Sequence, residues 1–181
     1  MVLELVINII VNNRSWDFYM NIEDAYKLAK SGKYDEAIEI CTAYIEAYPD
    51  RREGYKQRSY ILARAQLWED AIIDVNTLIK MGHEEPDDYF SRGRWHLMAG
   101  NVSSAIDDFS KIIEIEGVLQ RKYYTESAYF YRATACIEIG FFQRAIDDCE
   151  KIRDGFKVHL MGKLVTKADI LSEAKAGLNP S

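Results

Sequence analysis

The apolar positions of this chain fall into helical stripes separated by short polar corners. Ala37, Ile38, Cys41, Tyr44 and Ile45 form one stripe, and Ala71, Ile72, Val75, Leu78 and Ile79 form the next. Ala105, Ile106, Phe109, Ile112 and Ile113 make a third, and Ala145, Ile146, Cys149 and Ile152 a fourth. Spacings of three and four residues are those of a buried helix face. A corner precedes each stripe: residues 32–37 read Gly-Lys-Tyr-Asp-Glu-Ala, and counterparts end at Ala71, Ala105 and Ala145. The four alanines are separated by 34, 34 and 40 residues. A period in that range marks a solenoid of small helical units.

Each unit therefore pairs a first helix, before the corner, with a second helix after it. In unit one, Ser15 caps a first helix expected over 16–30, and the second is expected over 34–47, stopped by Pro49. Unit two is expected to place helices over 52–64 and 68–81. Unit three starts at Pro86, tolerated in a first helical turn, and its second helix is expected to end at Gly117. Six extra residues lie between Gly117 and Glu126, and should lengthen a helix end or form an edge loop. Unit four follows, closed by Asp154 and Gly155. Residues 156–165 are irregular in pattern, and a last helix starts at Thr166 with Asp169 completing a capping box. The expected organisation is an apolar extension over 1–17, repeats over 18–51, 52–85, 86–119 and 126–159, and a capping helix with tail over 160–181. An array needs such a cap because its last unit otherwise exposes an apolar side.

Composition narrows the function classes. The chain has 181 residues, 48% of them apolar, and a formal charge of −6. That balance fits a folded, cytoplasmic protein and argues against general nucleic-acid binding, which needs a basic face. Residues 1–11 are apolar but lack a basic start and are too short to span a membrane, so no membrane partner is expected. Cys41, Cys136 and Cys149 are odd in number and far apart, which argues against a disulfide scaffold and a zinc site and suits a reducing compartment. His83, His96 and His159 are isolated, and no phosphate loop or nucleophile turn is present. The expectation is a non-enzyme without cofactor or metal.

With these residues in view, the chain resembles the tetratricopeptide-repeat family. Tyr55, Tyr89 and Tyr129 supply the leading aromatic of its pattern, and Ala25, Ser59, Gly93 and Ala133 the small residue four later. Tyr34, Trp68 and Phe142 supply the second aromatic, while Asn21 and Val102 depart from the pattern. The resemblance covers residues 18–159 and implies an all-α, right-handed solenoid of four helix-turn-helix repeats with a C-terminal capping helix. It also implies that the first helices line a concave groove that holds a protein or peptide partner.

By helical spacing the groove residues are Tyr19, Ile22 and Tyr26 in unit one and Lys56, Tyr60 and Arg64 in unit two. Unit three contributes Phe90, Arg94 and Leu97, and unit four Phe130, Tyr131 and Thr134. Aromatic and arginine side chains are the usual anchors of interfaces. Part of the family clamps the carboxylate tail of chaperones with lysine, asparagine and arginine. Here the matching positions hold Ile22, Tyr26, Gln57, Asp87 and Ser91, which disfavours that partner. A toxin-neutralising or chaperone-like adaptor is a narrower version of the binding role. The alternative is a homo-oligomer, a self-associating scaffold driven by the apolar N-terminus or a repeat face.

One recurrence is less generic. Arg58, Arg92 and Arg132 each precede an aspartate, Asp74, Asp108 and Asp148, by sixteen residues. Because the acids recur with the arginines, the pairs read as ties between helices rather than as an arginine row for an acidic ligand.

Overall fold

A computed structural model of the chain describes residues 22–82, 85–160 and 162–179. The first two units are α1 (Ile22–Lys30) with α2 (Tyr34–Ala47), and α3 (Arg52–Arg64) with α4 (Trp68–Lys80). The next two are α5 (Pro86–Met98) with α6 (Val102–Val118), and α7 (Thr125–Glu138) with α8 (Phe142–Cys149). An antiparallel hairpin of β1 (Lys157–Leu160) and β2 (Lys163–Thr166) then leads into α9 (Lys167–Leu178), which packs on α8 and α7. The expected apolar extension and Tyr19 lie outside the described residues.

The four corners share one backbone geometry. The amides of Lys33, Leu67, Asn101 and Phe141 donate to carbonyls five residues back, those of Leu28, Leu62, His96 and Cys136, at 3.0, 2.9, 2.8 and 2.7 Å. This closure requires a left-handed residue, supplied by Gly32, Gly100 and Gly140 and, in unit two, by Gln66 at φ 63°. The corner thus survives where its glycine does not, because the packing on either side dictates it. Ala37, Ala71, Ala105 and Ala145 are fully buried at 0% exposure, and the small residues Ala25, Ser59, Gly93 and Ala133 on the first helices are buried as well. At Gly93 an added Cβ would lie 3.0 Å from the Phe109 ring, so the small residue sets how closely the helices approach.

The core is segmented along the array, as nearest-neighbour stacking requires. Ile61 of α3 closes the cluster of Ala25, Ala29, Ala37 and Cys41, and Trp95 of α5 closes that of Leu62, Ala71, Val75 and Leu78. The largest cluster runs from Tyr89 to Ala174 and joins units three and four to the cap.

Two expectations are corrected. Gly117 does not end α6; the helix continues to Val118, and Gln120, at φ 52°, takes the left-handed turn while the Arg121 amide bonds the Glu116 carbonyl at 3.0 Å. The six extra residues thus lengthen the helix and also form a loop over 119–124. Residues 156–165 are not irregular but contain the hairpin, which turns at Gly162, φ 78°. The expected capping box is present: Thr166 Oγ1 accepts from the Asp169 amide at 3.2 Å, and Asp169 accepts from the Thr166 amide at 2.8 Å.

Candidate functional site

Three arginines tie the array together. Arg58 forks onto Asp74 at 2.8 and 2.7 Å, Arg92 onto Asp108 at 2.9 and 2.6 Å, and Arg132 onto Asp148 at 2.8 and 2.6 Å. The remaining nitrogen of each reaches the second helix of the preceding unit: Thr42 at 3.0 Å, Asn76 at 2.6 Å and Ser110 at 2.9 Å. Each guanidinium therefore holds its own first helix, its own second helix and the unit before it. The sequence separation on this last leg is 16 residues in two units and 22 in the third, so the insert is absorbed without disturbing the tie. The aspartates are buried, and these arginines are spent within the fold. Arg52 adds a further tie, bonding Asp88 across to the next first helix and the Leu78 carbonyl at 2.6 Å.

The first helices meet along one face. Tyr60 packs edge-on against Trp95 at 5.7 Å, its hydroxyl shares a hydrogen bond with Ser91 at 3.1 Å, and Lys56 pairs with Asp87 at 2.7 Å. Phe90 packs on Tyr131 at 5.5 Å and on Tyr124 of the insert at 4.9 Å. The Tyr124 hydroxyl donates to Asp87 at 2.9 Å, so the insert reaches back to the first turn of α5. Burial works against the Asp87 carboxylate, but the bonds from Lys56 and Tyr124 outweigh it and hold its pKa below the usual carboxylate range. Buried Glu116 anchors the same loop by accepting the Tyr124 amide at 2.8 and 3.0 Å and the Thr125 hydroxyl.

The groove residues expected from sequence divide into three groups. Tyr26 (53% exposed), Tyr60 (39%), Arg64 and Arg94 are open to solvent. Lys56 is exposed but engaged by Asp87; Ile22, Phe90 and Thr134 are half-buried, the Thr134 hydroxyl donating to the Phe130 carbonyl at 3.0 Å. Leu97, Phe130 and Tyr131 are buried, which corrects their assignment as contact residues. Tyr131 stacks on Phe109 of α6, and Phe130 packs on Phe156 beside the hairpin, both at 5.5 Å. Helical spacing could not separate these from solvent-facing positions, because a first helix touches both neighbours and, in unit four, the hairpin.

Trp95 and Tyr124 shape this face but were not among the groove residues expected from sequence. The insert itself was the signal for Tyr124. The most exposed large apolar side chains among the described residues, Val118 (79%) and Tyr123 (83%), stand on the same insert beside Arg121 and Lys122. Among the described residues no group of three or more His, Cys, Asp or Glu side chains is placed to hold a metal ion. No described helix is long and apolar enough to cross a membrane.

No protein-family model matches the chain. It is 32% identical over 87 residues to RNA polymerase II-associated protein 3 of Xenopus laevis, and 31% identical to that of Xenopus tropicalis. Each match covers 48% of this chain but only 13% of the relative. Among solved structures, a crystal structure of MamA superposes with a TM-score of 0.63 at 23% identity, covering 74% of each chain. The first TPR of Spaghetti (RPAP3), bound to the HSP90 peptide SRMEEVD, gives 0.55 at 22% identity, covering 65% of this chain and 88% of that one. YrrB, described as a TPR protein with an unusual peptide-binding site, gives 0.59 at 13% identity, covering 71% of this chain and 63% of that one.

Proposed function

Proceeding from a chain that folds as a tetratricopeptide-repeat array, we propose that it is a non-catalytic module binding a protein or peptide segment along its first-helix face. The observation that carries this reading is the exposure of Tyr26, Tyr60, Arg64 and Arg94 on three successive first helices. Aromatic and arginine side chains combine contact area with directed hydrogen bonds, and here the helices that carry them are already packed. The face is adaptor-like, and a toxin-neutralising or chaperone-like adaptor role falls within this reading. A carboxylate-tail clamp does not, because charged Asp87 stands at one of its positions and would repel the ligand. The buried free thiols of Cys41, Cys136 and Cys149 suit a reducing, cytoplasmic setting.

The test is affinity capture from the native cell with wild-type protein and with the Tyr26→Ala, Tyr60→Ala, Arg94→Ala triple variant, followed by mass spectrometry. Loss of the captured partner by a folded variant is expected. Equal capture by both proteins rejects the face. A second reading, self-association, draws on exposed Val118, Leu119 and Tyr123 of the insert. Light scattering over a concentration series, with Val118→Ser and Tyr123→Ser alongside, decides it; a concentration-independent monomer removes it.

A further inference from the structure

We propose that the insert of one copy seats on the solvent-facing side of α4 of a second copy, a pairing that rests on the self-association reading and names the surface that receives the insert.

The three most exposed large apolar side chains among the described residues are Tyr123 (83%), Val118 (79%) and Ile73 (60%). Two stand on the insert and the third on α4, and their exposure means that neither patch covers the other within one chain. Ile73 departs from the repeat. It lies two residues after the corner alanine of its unit, and the same place in the other units holds Glu39, Asp107 and Asp147, all exposed. Glu69 lies four residues before Ile73 and Asp70 three, so the three share one face of α4. An acidic first turn suits a helix N-terminus in any case, so the acids set the sign of this patch and Ile73 supplies its apolar centre.

The insert carries the opposite sign. Residues 117–125 contain Arg121 and Lys122 and no acid. Arg121, Lys122, Glu69 and Asp70 are all exposed, and none has an ion-pair partner among the described residues. The loop is also fixed before it docks. Glu116 accepts the Tyr124 amide at 2.8 Å, and the Tyr124 hydroxyl donates to Asp87 at 2.9 Å. A segment held in this way loses little conformational freedom on association. Val118 and Tyr123 can then meet Ile73 as an apolar centre, while Arg121 and Lys122 meet Glu69 and Asp70 as a charged rim. Two copies of a chain with formal charge −6 repel in most orientations, and opposite local charge at these two patches selects this one. The chain thus carries its own complement to the insert, in both polarity and sign, and that makes the occupant a second copy.

Sedimentation velocity of the full chain over a concentration series measures the association. Three variants are compared with wild type, each checked for folding by circular dichroism: Arg121→Glu with Lys122→Glu, Glu69→Lys with Asp70→Lys, and Ile73→Ser. Each should weaken association about tenfold or more. The α4 charge variant moves the formal charge by four, from −6 to −2, so a general relief of repulsion would tighten association, whereas the pairing requires it to weaken. Mixing the two charge variants should restore association to the wild-type level, because each patch then meets one of opposite sign. A wild type that stays monomeric at every concentration overturns both self-association and this pairing. Association that Val118→Ser and Tyr123→Ser remove, but that Ile73→Ser and the α4 charge variant leave intact, overturns the pairing and keeps self-association through the insert. A mixture of the two charge variants that stays monomeric also overturns the pairing.

Discussion

Replacing Arg92 by methionine tests the inter-unit tie directly. The arginine side chain is 20% exposed and its partner Asp108 only 5%, so methionine fills much of the space while leaving a buried carboxylate without its cation. Breaking a buried pair in this way costs about 3–5 kcal/mol, including the bond to Asn76 that is lost with it. For a chain of this size that is a fall of about 6–20 °C in Tm. The pH dependence separates this cause from simple loss of packing. Burial already holds the Asp108 carboxyl above the usual carboxylate range, against the pull of Arg92 and His96 and with Asp107 adding to it. Without Arg92 the folded-state pKa rises further above the unfolded value of about 3.9. A raised acid gives stability that is complete below the unfolded pKa and lost as pH climbs through the folded one. The deficit of Arg92→Met should therefore be largest at neutral pH and shrink toward pH ~4, and Asp108→Asn should recover part of it at neutral pH. Urea denaturation of wild type, both single variants and the double variant, followed by circular dichroism, measures this. A loss below about 1 kcal/mol, or a loss that does not change with pH, would refute the reasoning.

Glu116→Ala should release the insert by removing the acceptor of the Tyr124 amide and the Thr125 hydroxyl, at a cost of about 1–3 kcal/mol. Limited trypsin digestion should then cut at exposed Arg121 and Lys122 faster than in wild type. Gly177→Ala places a Cβ 2.4 Å from the Phe142 ring; overpacking should outweigh the gain in helix propensity and lower stability by about 1 kcal/mol, read from denaturant melts. Gln66→Gly should stabilise by about 1 kcal/mol, since Gln66 occupies the left-handed position at φ 63°. Burial pushes the Cys41 thiol up to about 12 and Cys149 to about 11, so a thiol reagent at mildly alkaline pH should label the chain only after denaturation. By the same linkage, stability should fall as pH rises from about 9 toward those values.

Sequence alone determined the repeat. The period, the small residues at 25, 59, 93 and 133 and the alanines at 37, 71, 105 and 145 placed nearly every helix, because local spacing and steric size are written in the chain. The sixteen-residue separation of Arg92 from Asp108 and its two counterparts likewise pointed to their role. Tertiary structure decided what each of those features touches. It turned three ion pairs into ties that also hold the preceding unit, through Thr42, Asn76 and Ser110. It ended α6 at Val118 rather than at Gly117 and folded the irregular stretch into a hairpin. It also withdrew Leu97, Phe130 and Tyr131 from the surface while leaving Tyr60 and Arg94 open. The physical reason is that a helix pattern records which side chains prefer burial. Which of two apolar faces meets a neighbour, and which meets water, is set by how adjacent units stack and, at the end of the array, by the hairpin and cap.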